Sequence, residues 1–297
     1  GFVGVLGGGI VKNLIFENVD IQAATNAGDI TGSKENQISV GPVVGWMNEN
    51  GNNKVLDCVV ASGTIRTTGK GQGVGGIVGN AKNGTISNCL SLVEIHTSGS
   101  EAYIGGIIGI TKTNVTVSSC VYAGPGLVNT GSNGSVGGVV GNVYSGTATA
   151  QNSYFEGNLT YNNNPVVGVG KDCGSKCTVN DTTHKADVTN IEKVVCAMNG
   201  KNADGSCEEE PWSLGQTGLS LNGYGADGYK IIFNANGGAF AGSAVTKNIY
   251  LASGMAITDN EVGKPSRNGF SFEGWAATAD ATESLENLGT VSKSTKF

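Results

Sequence analysis

The sequence is poor in charged residues and long apolar runs. Asp, Glu, Lys and Arg make up 14% of its 297 residues, whereas soluble domains usually carry about a quarter. The 18 basic residues are scattered and form no cluster with interleaved aromatic side chains, which argues against nucleic-acid binding. No apolar run approaches the roughly 20 residues that span a bilayer as a helix. We therefore expect neither a nucleic-acid partner nor a transmembrane segment in this chain.

Catalytic residue patterns are also missing. The two histidines, His96 and His184, have no recurring neighbour that would form a Ser-His-Asp or Cys-His arrangement. Acidic residues are sparse in the first 170 residues, and Asp57 is replaced at the equivalent repeat position by Asn88 and Ser119. We expect no catalytic, cofactor or metal site. The alternative is a carbohydrate-active β-helix enzyme, which would require clustered carboxylates on one face.

The abundant residues favour an all-β chain with many tight turns. Glycine accounts for 49 residues while proline accounts for only 5, which excludes collagen-like and proline-rich architectures. Val, Ile and Thr are common strand residues, and Gly, Asn and Ser are common turn residues.

An internal repeat of about 30 residues dominates the first part of the chain. Cys58, Cys89 and Cys120 are each 31 residues apart. Each repeat combines a short Gly-flanked apolar strand, a turn, and an alternating strand that precedes the cysteine. Clear copies of the apolar strand occur at 40–45, 73–79, 103–109 and 136–142. Because one repeat cannot bury its apolar face alone, stacked repeats predict a parallel β-solenoid of about five coils. The three cysteines are predicted to form a ladder of small buried side chains inside it.

These residues resemble the GLUG repeat of large secreted bacterial surface proteins. The similarity covers 1–170 and is carried by Gly-Gly-Ile-Val-Gly-Asn at 75–80 and the following Gly-x-Ile-x-Asn-Cys motif at 84–89. It weakens in the copy where Ala148-Thr149 replaces the Ile position and Ser153 replaces the cysteine. The resemblance implies a β-helical stalk or adhesin without catalytic residues.

A different composition begins near residue 171. We interpret 171–224 as a cap or linker that closes the open end of the solenoid, with a short helix over 190–200. Its four cysteines are disulfide candidates: Cys173, Cys177, Cys196 and Cys207. The first choice pairs Cys173 with Cys177 and Cys196 with Cys207, but two other pairings are open, and a four-cysteine zinc site is the alternative.

The last segment, 225–297, contains a strand ending in an Asn-Gly turn at 236–237, a second strand around 247–251, and a Pro…Gly-Phe-x-Phe-x-Gly-Trp motif at 265–275. This segment resembles the B-repeat of internalins, also called the Listeria–Bacteroides repeat. The resemblance implies a small β-grasp-like spacer domain, whose final strand we expect to be incomplete. Phe272 and Trp275 are predicted to belong to its core.

The combined expectation is an all-β protein that is secreted or exposed at the cell surface, acts as a stalk or adhesin, and is not an enzyme. The resemblances imply a host or neighbouring-cell surface protein or glycan as partner, or self-association. The alternatives are a carbohydrate-active enzyme and a filament-forming protein that assembles through its coil ends.

Overall fold

The structure, a computed structural model, describes residues 1–24, 38–156, 159–170, 182–184, 191–203, 205–208, 211–214, 219–225, 229–251, 255–258, 262–278, 280–281, 283–291 and 295–297. The chain forms two compact units, Gly1–Lys201 and Asn202–Phe297. The first unit is a parallel β-solenoid of about four turns, so the all-β solenoid fold predicted from the repeat is confirmed.

Each turn of the solenoid contributes strands to three parallel sheets. The first turn contains β1 (Val3–Leu6), β2 (Ile10–Lys12), β3 (Ile15–Phe16) and β4 (Val19–Ala24). The second contains β5 (Ile38–Val40), β6 (Val44–Met47), β7 (Lys54–Leu56), β8 (Val59–Val60) and β9 (Gly63–Thr68). The third contains β10 (Gln72–Gly75), β11 (Val78–Ser87), β12 (Leu90–Ser91) and β13 (Glu94–Thr97). The fourth contains β14 (Ala102–Gly105), β15 (Ile108–Ser118), β16 (Val121–Tyr122) and β17 (Leu127–Asn129).

The remaining elements of this unit extend the stack and end it. They are β18 (Ser135–Val143), β19 (Thr147–Gln151), β20 (Ser153–Phe155), the antiparallel pair β21 (Thr160–Tyr161) and β22 (Asn164–Pro165), then β23 (Val167–Val169), β24 (Thr182–His184) and α1 (Ile191–Asn199). The helix predicted over 190–200 is therefore present as α1. Because β24 pairs with β20, the solenoid ladder continues past residue 170.

The three parallel sheets define three faces of the solenoid. The first is a 12-stranded sheet containing β1, β2, β5–β7, β10, β11, β14, β15, β18, β19 and β23. The second runs in the order β24-β20-β16-β12-β8-β3. The third, called face 3 below, runs in the order β17-β13-β9-β4.

Valine and isoleucine ladders fill the space between the faces. Val55, Ile86, Val117 and Ala150 lie in successive turns and are almost fully buried, and the parallel register places each opposite the next. Ile65, Ile95 and Leu127 form the equivalent ladder beneath face 3. The apolar residues that alternate along each strand thus supply the core that no single repeat could bury.

A left-handed residue turns the chain between the first and second sheets. Asn13, Asp57, Asn88, Ser119 and Asn152 all have φ between 48° and 57°. Asn and Asp adopt this conformation more readily than other non-glycine residues, which explains why one of them holds four of these five corners. The corner donates its backbone N–H to the next turn, as in Asn88 N to Ser118 O at 3.1 Å.

Helix α1 lies against this row of corners. The Ser119 hydroxyl donates to the Met198 carbonyl at 3.4 Å, and the Asn152 amide donates to the Ala197 carbonyl at 3.3 Å. Both acceptors lie in the last turn of the helix, where carbonyls lack intrahelical partners. Much of 171–224 lies outside the described residues, so its role as a cap for the solenoid end stays a prediction.

The second unit contains two small sheets. One is formed by β25 (Trp212–Leu214), β26 (Leu219–Leu221) and β27 (Tyr224–Gly225), all antiparallel. The other is formed by β28 (Tyr229–Asn234), β29 (Thr246–Leu251) and β30 (Thr295–Lys296), in which β28 pairs antiparallel with β29 and parallel with β30. A short 3₁₀ turn covers Ala241–Ser243.

Trp275 anchors the core of this second unit. It is 6% exposed, its ring centroid lies 4.7 Å from that of Phe233, and the Phe272 ring packs edge-on at 5.1 Å. Trp275 therefore belongs to the core and Phe272 packs against it, as predicted, whereas Phe270, the third aromatic residue of the 265–275 motif, is exposed.

Candidate functional site on face 3 of the solenoid

The three cysteines of the ladder lie inside the solenoid, where their thiols are buried and hydrogen-bonded. Cys58, Cys89 and Cys120 are fully buried, and each thiol donates to the carbonyl two residues before it at 3.2–3.3 Å. A hydrogen bond with Cys89, followed by burial, raises the pKa of Cys58 far above its usual range. Burial, followed by a hydrogen bond with Cys120, does the same for Cys89. Since the thiolate is the nucleophile and the metal ligand, these neutral thiols are structural.

The cysteines of the middle segment are partly described. Cys196 and Cys207 are each disulfide-bonded, whereas Cys173 and Cys177 lie outside the described residues. The proposed pairing therefore stays a prediction. Among the residues that the structure describes, no group of three or more His, Cys, Asp and Glu side chains is arranged to hold a metal ion.

The outward side chains of face 3 are mostly polar and change from turn to turn. The parallel register places Gln22, Arg66, His96 and Val128 opposite one another in successive strands. We call these four residues the arginine row. Thr68, Ser98 and Thr130 follow two residues later in their turns and form a second outward row, which we call the hydroxyl row.

The two rows line a shallow depression of about 310 Å³, which we call the Arg66 depression. Its lining comprises the hydroxyl row, three members of the arginine row and two inward threonines: Arg66, Thr67, Thr68, His96, Thr97, Ser98, Val128 and Thr130. Thr67 and Thr97 are nearly fully buried, and their hydroxyl oxygens have no hydrogen-bond partner. Unpartnered buried hydroxyls are uncommon, but Ser91 and Thr111 elsewhere in the solenoid share this property, so it does not single out face 3.

Charges in and around the depression are only partly balanced. The His96 Nε2 atom lies 2.9 Å from the Glu94 carboxylate, and both side chains are about one-third exposed. The Arg66 side chain is exposed, and it makes no ion pair with any residue of the described part of the chain. Face 3 therefore offers the guanidinium of Arg66, which has no ion-pair partner among the described residues, beside an imidazole that contacts a carboxylate.

The other carboxylates described on the solenoid do not cluster, because they pair with separate lysines or lie on separate strands. Glu49 lies 2.7 Å from the Lys82 amine, and this contact lowers the pKa of Glu49. Glu101 lies 3.8 Å from the amine of Lys70. On face 3, Asp20 and Glu94 are both opposite Thr64 on the strand between them, so two strand spacings, about 10 Å, separate their backbones. The described residues bring no third carboxylate to this pair.

His96 lies on β13 with its side chain partly exposed. His184 lies on β24, opposite Phe155 in the second sheet. Arg66 and the hydroxyl row were missed because neither recurs in every repeat. Aligning Ile65 with Ile95 would have placed Arg66 beside His96.

A second depression, of about 350 Å³, lies in the other unit. It is lined mainly by small side chains together with Phe272 and Phe297. Its polar lining consists of the neutral side chains of Asn234, Asn236 and Thr278, whereas the depression on face 3 contains the charged Arg66. We therefore take face 3 as the candidate site.

Within the described parts of the chain, no helix combines the length and the apolar character that crossing a bilayer requires. No curated protein and no solved structure matches the chain significantly. Residues 229–296 match the family of the Listeria-Bacteroides repeat domain, a repeat typical of surface proteins.

Proposed function

We propose that this chain is a structural and adhesive segment of a secreted or cell-surface protein, in which the solenoid is a stiff stalk that presents face 3 to a partner. The observation that carries the proposal is the union of a parallel solenoid with a Listeria-Bacteroides repeat at 229–296 in one chain. Each repeat of a solenoid contacts mainly its nearest neighbours, and the stack presents an extended surface that suits display and binding.

The GLUG-like motifs support the same role. They favour a bacterial surface protein, an extracellular location and a non-catalytic solenoid. The cysteine usage agrees with export, since Cys196 and Cys207 are disulfide-bonded and disulfides persist mainly in oxidising compartments. The partner proposed for face 3 is a glycan or protein on a host or neighbouring cell.

Self-association through the first turn is the second candidate. Its apolar side chains include four that are more than half exposed: Phe2, Val5, Ile10 and Ile15. Exposed apolar side chains next to strand edges are a template for pairing with another chain. Sedimentation velocity across a hundredfold range of concentration distinguishes this candidate, because assembly through coil ends requires particle length to grow with concentration.

Binding of the fluorescently labelled whole chain to intact host and bacterial cells tests the adhesive role. We expect saturable binding that is lost when the solenoid is unfolded by urea, and retained in Gly4→Ala. Absence of binding to every cell type, combined with release of reducing ends from polysaccharides, would replace this proposal with the carbohydrate-active enzyme.

A further inference from the structure

The Arg66 depression has the chemistry of a small anionic ligand site. We infer that it binds a carboxylate-bearing sugar residue, such as a uronic or sialic acid at the end of a glycan. This inference rests on the proposed adhesive function and names the class of ligand that face 3 would recognise.

The charge argument begins with Arg66. A guanidinium group presents a planar fork of N–H donors that matches a carboxylate in two parallel hydrogen bonds. Arg66 is exposed and has no ion-pair partner among the described residues, whereas the neighbouring His96 is held by Glu94 at 2.9 Å. Asp20, on the adjacent strand, makes no ion pair with Arg66. The carboxylate of a ligand is therefore directed to Arg66 and not to His96.

The hydroxyl row supplies the groups that would hold the rest of a sugar. Thr68, Ser98 and Thr130 lie on successive turns, about 4.8 Å apart, and all three side chains are exposed. The Thr130 hydroxyl donates to the Thr97 carbonyl at 3.2 Å, and its oxygen can still accept a hydrogen bond. Hydroxyl groups donate and accept hydrogen bonds, so a row of them can match the adjacent hydroxyls of a sugar ring.

Size and shape favour one sugar residue. The depression measures about 310 Å³, at the small end of the roughly 300–1,000 Å³ that ligand sites occupy. Val128, 37% exposed, offers an apolar contact for the C–H groups of a ring.

An acidic peptide fits this surface less well than a sugar. Extended peptides commonly bind by adding a strand to a free sheet edge. The two central strands at the depression, β9 and β13, are paired on both sides. Their backbone groups are therefore engaged, and only side chains remain for recognition.

Saturation-transfer NMR on the whole chain tests the inference with methyl glucuronide and the methyl glycoside of N-acetylneuraminic acid as probes. Methyl glucoside and acetate are the comparison ligands. We expect at least one acidic sugar to bind, methyl glucoside to bind at least tenfold more weakly, and acetate to compete only weakly. Which acidic sugar binds more tightly distinguishes uronic from sialic acid.

Arg66→Gln is expected to lower the affinity for the acidic sugar at least tenfold. Lys12→Gln removes the same charge from an exposed position on β2 and is expected to leave the affinity unchanged. Thr68→Val is expected to weaken binding severalfold while the carboxylate preference is kept. Circular dichroism verifies that each variant retains its β structure.

Equal binding of glucuronide and glucoside would overturn the inference, as would competition by acetate at the same concentration, which indicates a generic anion site. Binding of an acidic peptide in place of the sugars would overturn it as well. If the wild-type chain binds cells and Arg66→Gln binds them equally, the inference fails while the adhesive function stands. If the chain binds the acidic sugar but no cell, the adhesive function fails instead.

Discussion

Gly106 lies where two turns of the solenoid meet backbone to backbone. A Cβ atom at this position would lie 2.2 Å from the carbonyl oxygen of Gly138 and 2.4 Å from the ring of Tyr122. Neither the backbone of the next turn nor a fully buried ring can move away without disturbing the stack. We expect Gly106→Ala to lower the free energy of unfolding by about 1–3 kcal/mol or more, as overpacked cores do.

Gly4 provides the matched control for this substitution. It lies on β1, and a Cβ atom there would meet nothing within 4 Å. Gly4→Ala is therefore expected to change the stability by less than about 0.5 kcal/mol. Urea unfolding followed by circular dichroism measures both variants, and equal effects at the two positions would contradict the close approach of the turns.

The buried thiols make stability depend on pH. The pKa values of Cys58 and Cys89 are raised in the folded state, so the folded chain keeps protons that the unfolded chain releases above the ordinary thiol pKa of 9.0. Their contribution is fully present below that value and is lost as the pH rises through it. We expect the free energy of unfolding to fall by about 1.4 kcal/mol per pH unit for each thiol above pH 9.

Urea titrations at pH 8, 9 and 10 measure this slope. Cys89→Ala is expected to reduce the slope of the unfolding free energy against pH by the contribution of one thiol. A slope that this substitution leaves unchanged would show that other titrating groups cause it. Iodoacetamide provides an independent check, because the buried ladder is expected to react only after the chain is unfolded.

At the scale of elements, a lysine amine contacts aromatic rings from two other turns of the solenoid. Lys112, on β15, is only 6% exposed, and its Nζ atom lies 5.1 Å from the ring centroid of Trp46 and 5.9 Å from that of Tyr144. Trp46 lies on β6, and Tyr144 directly follows β18. The cation thus connects residues from three turns through its attraction to the faces of aromatic rings.

A double-mutant cycle with Lys112→Met and Tyr144→Leu isolates this attraction. We expect the two substitutions to show a favourable coupling energy of about 0.5–2 kcal/mol in chemical denaturation. A coupling below about 0.3 kcal/mol would mean that Lys112 contributes to the fold through the packing of its methylene stem alone.

Elements that recur were predictable from the sequence, and elements that occur once were not. The 31-residue spacing of Cys58, Cys89 and Cys120 predicted the solenoid and its interior, because every turn must repeat the side chains that stack inside. Nothing requires the outward side chains to repeat, so Arg66, His96 and Val128 share no pattern although they lie side by side. For that reason the candidate site could not be predicted from the sequence. The parallel register of the strands shows that these residues lie side by side.

The B-repeat was predictable for a different reason. Its motif residues are core residues, since Phe272 and Trp275 pack against Phe233, and a core fixes residue types at fixed spacing. The continuation of the ladder to β24 was not predictable, because the segment between β23 and β24 carries no Gly-Gly motif and Thr182, opposite Ser153, stands at the position that is cysteine in the central turns.

At the scale of the whole molecule, each of the two units has its own hydrophobic core. A domain with its own core usually unfolds as a cooperative unit. We therefore expect calorimetry of the whole chain to show two transitions, one for Gly1–Lys201 and one for Asn202–Phe297.

One substitution in each unit assigns the two transitions. Phe233 is fully buried, and its ring lies 4.7 Å from that of Trp275 and 5.5 Å from that of Phe297. Phe233→Ala is expected to destabilise its unit by about 3–5 kcal/mol and to lower one melting temperature only. Gly106→Ala is expected to lower only the other. If either substitution shifts both transitions equally, the two units unfold as a single body, and the stability of the solenoid would then depend on the integrity of the second unit as well.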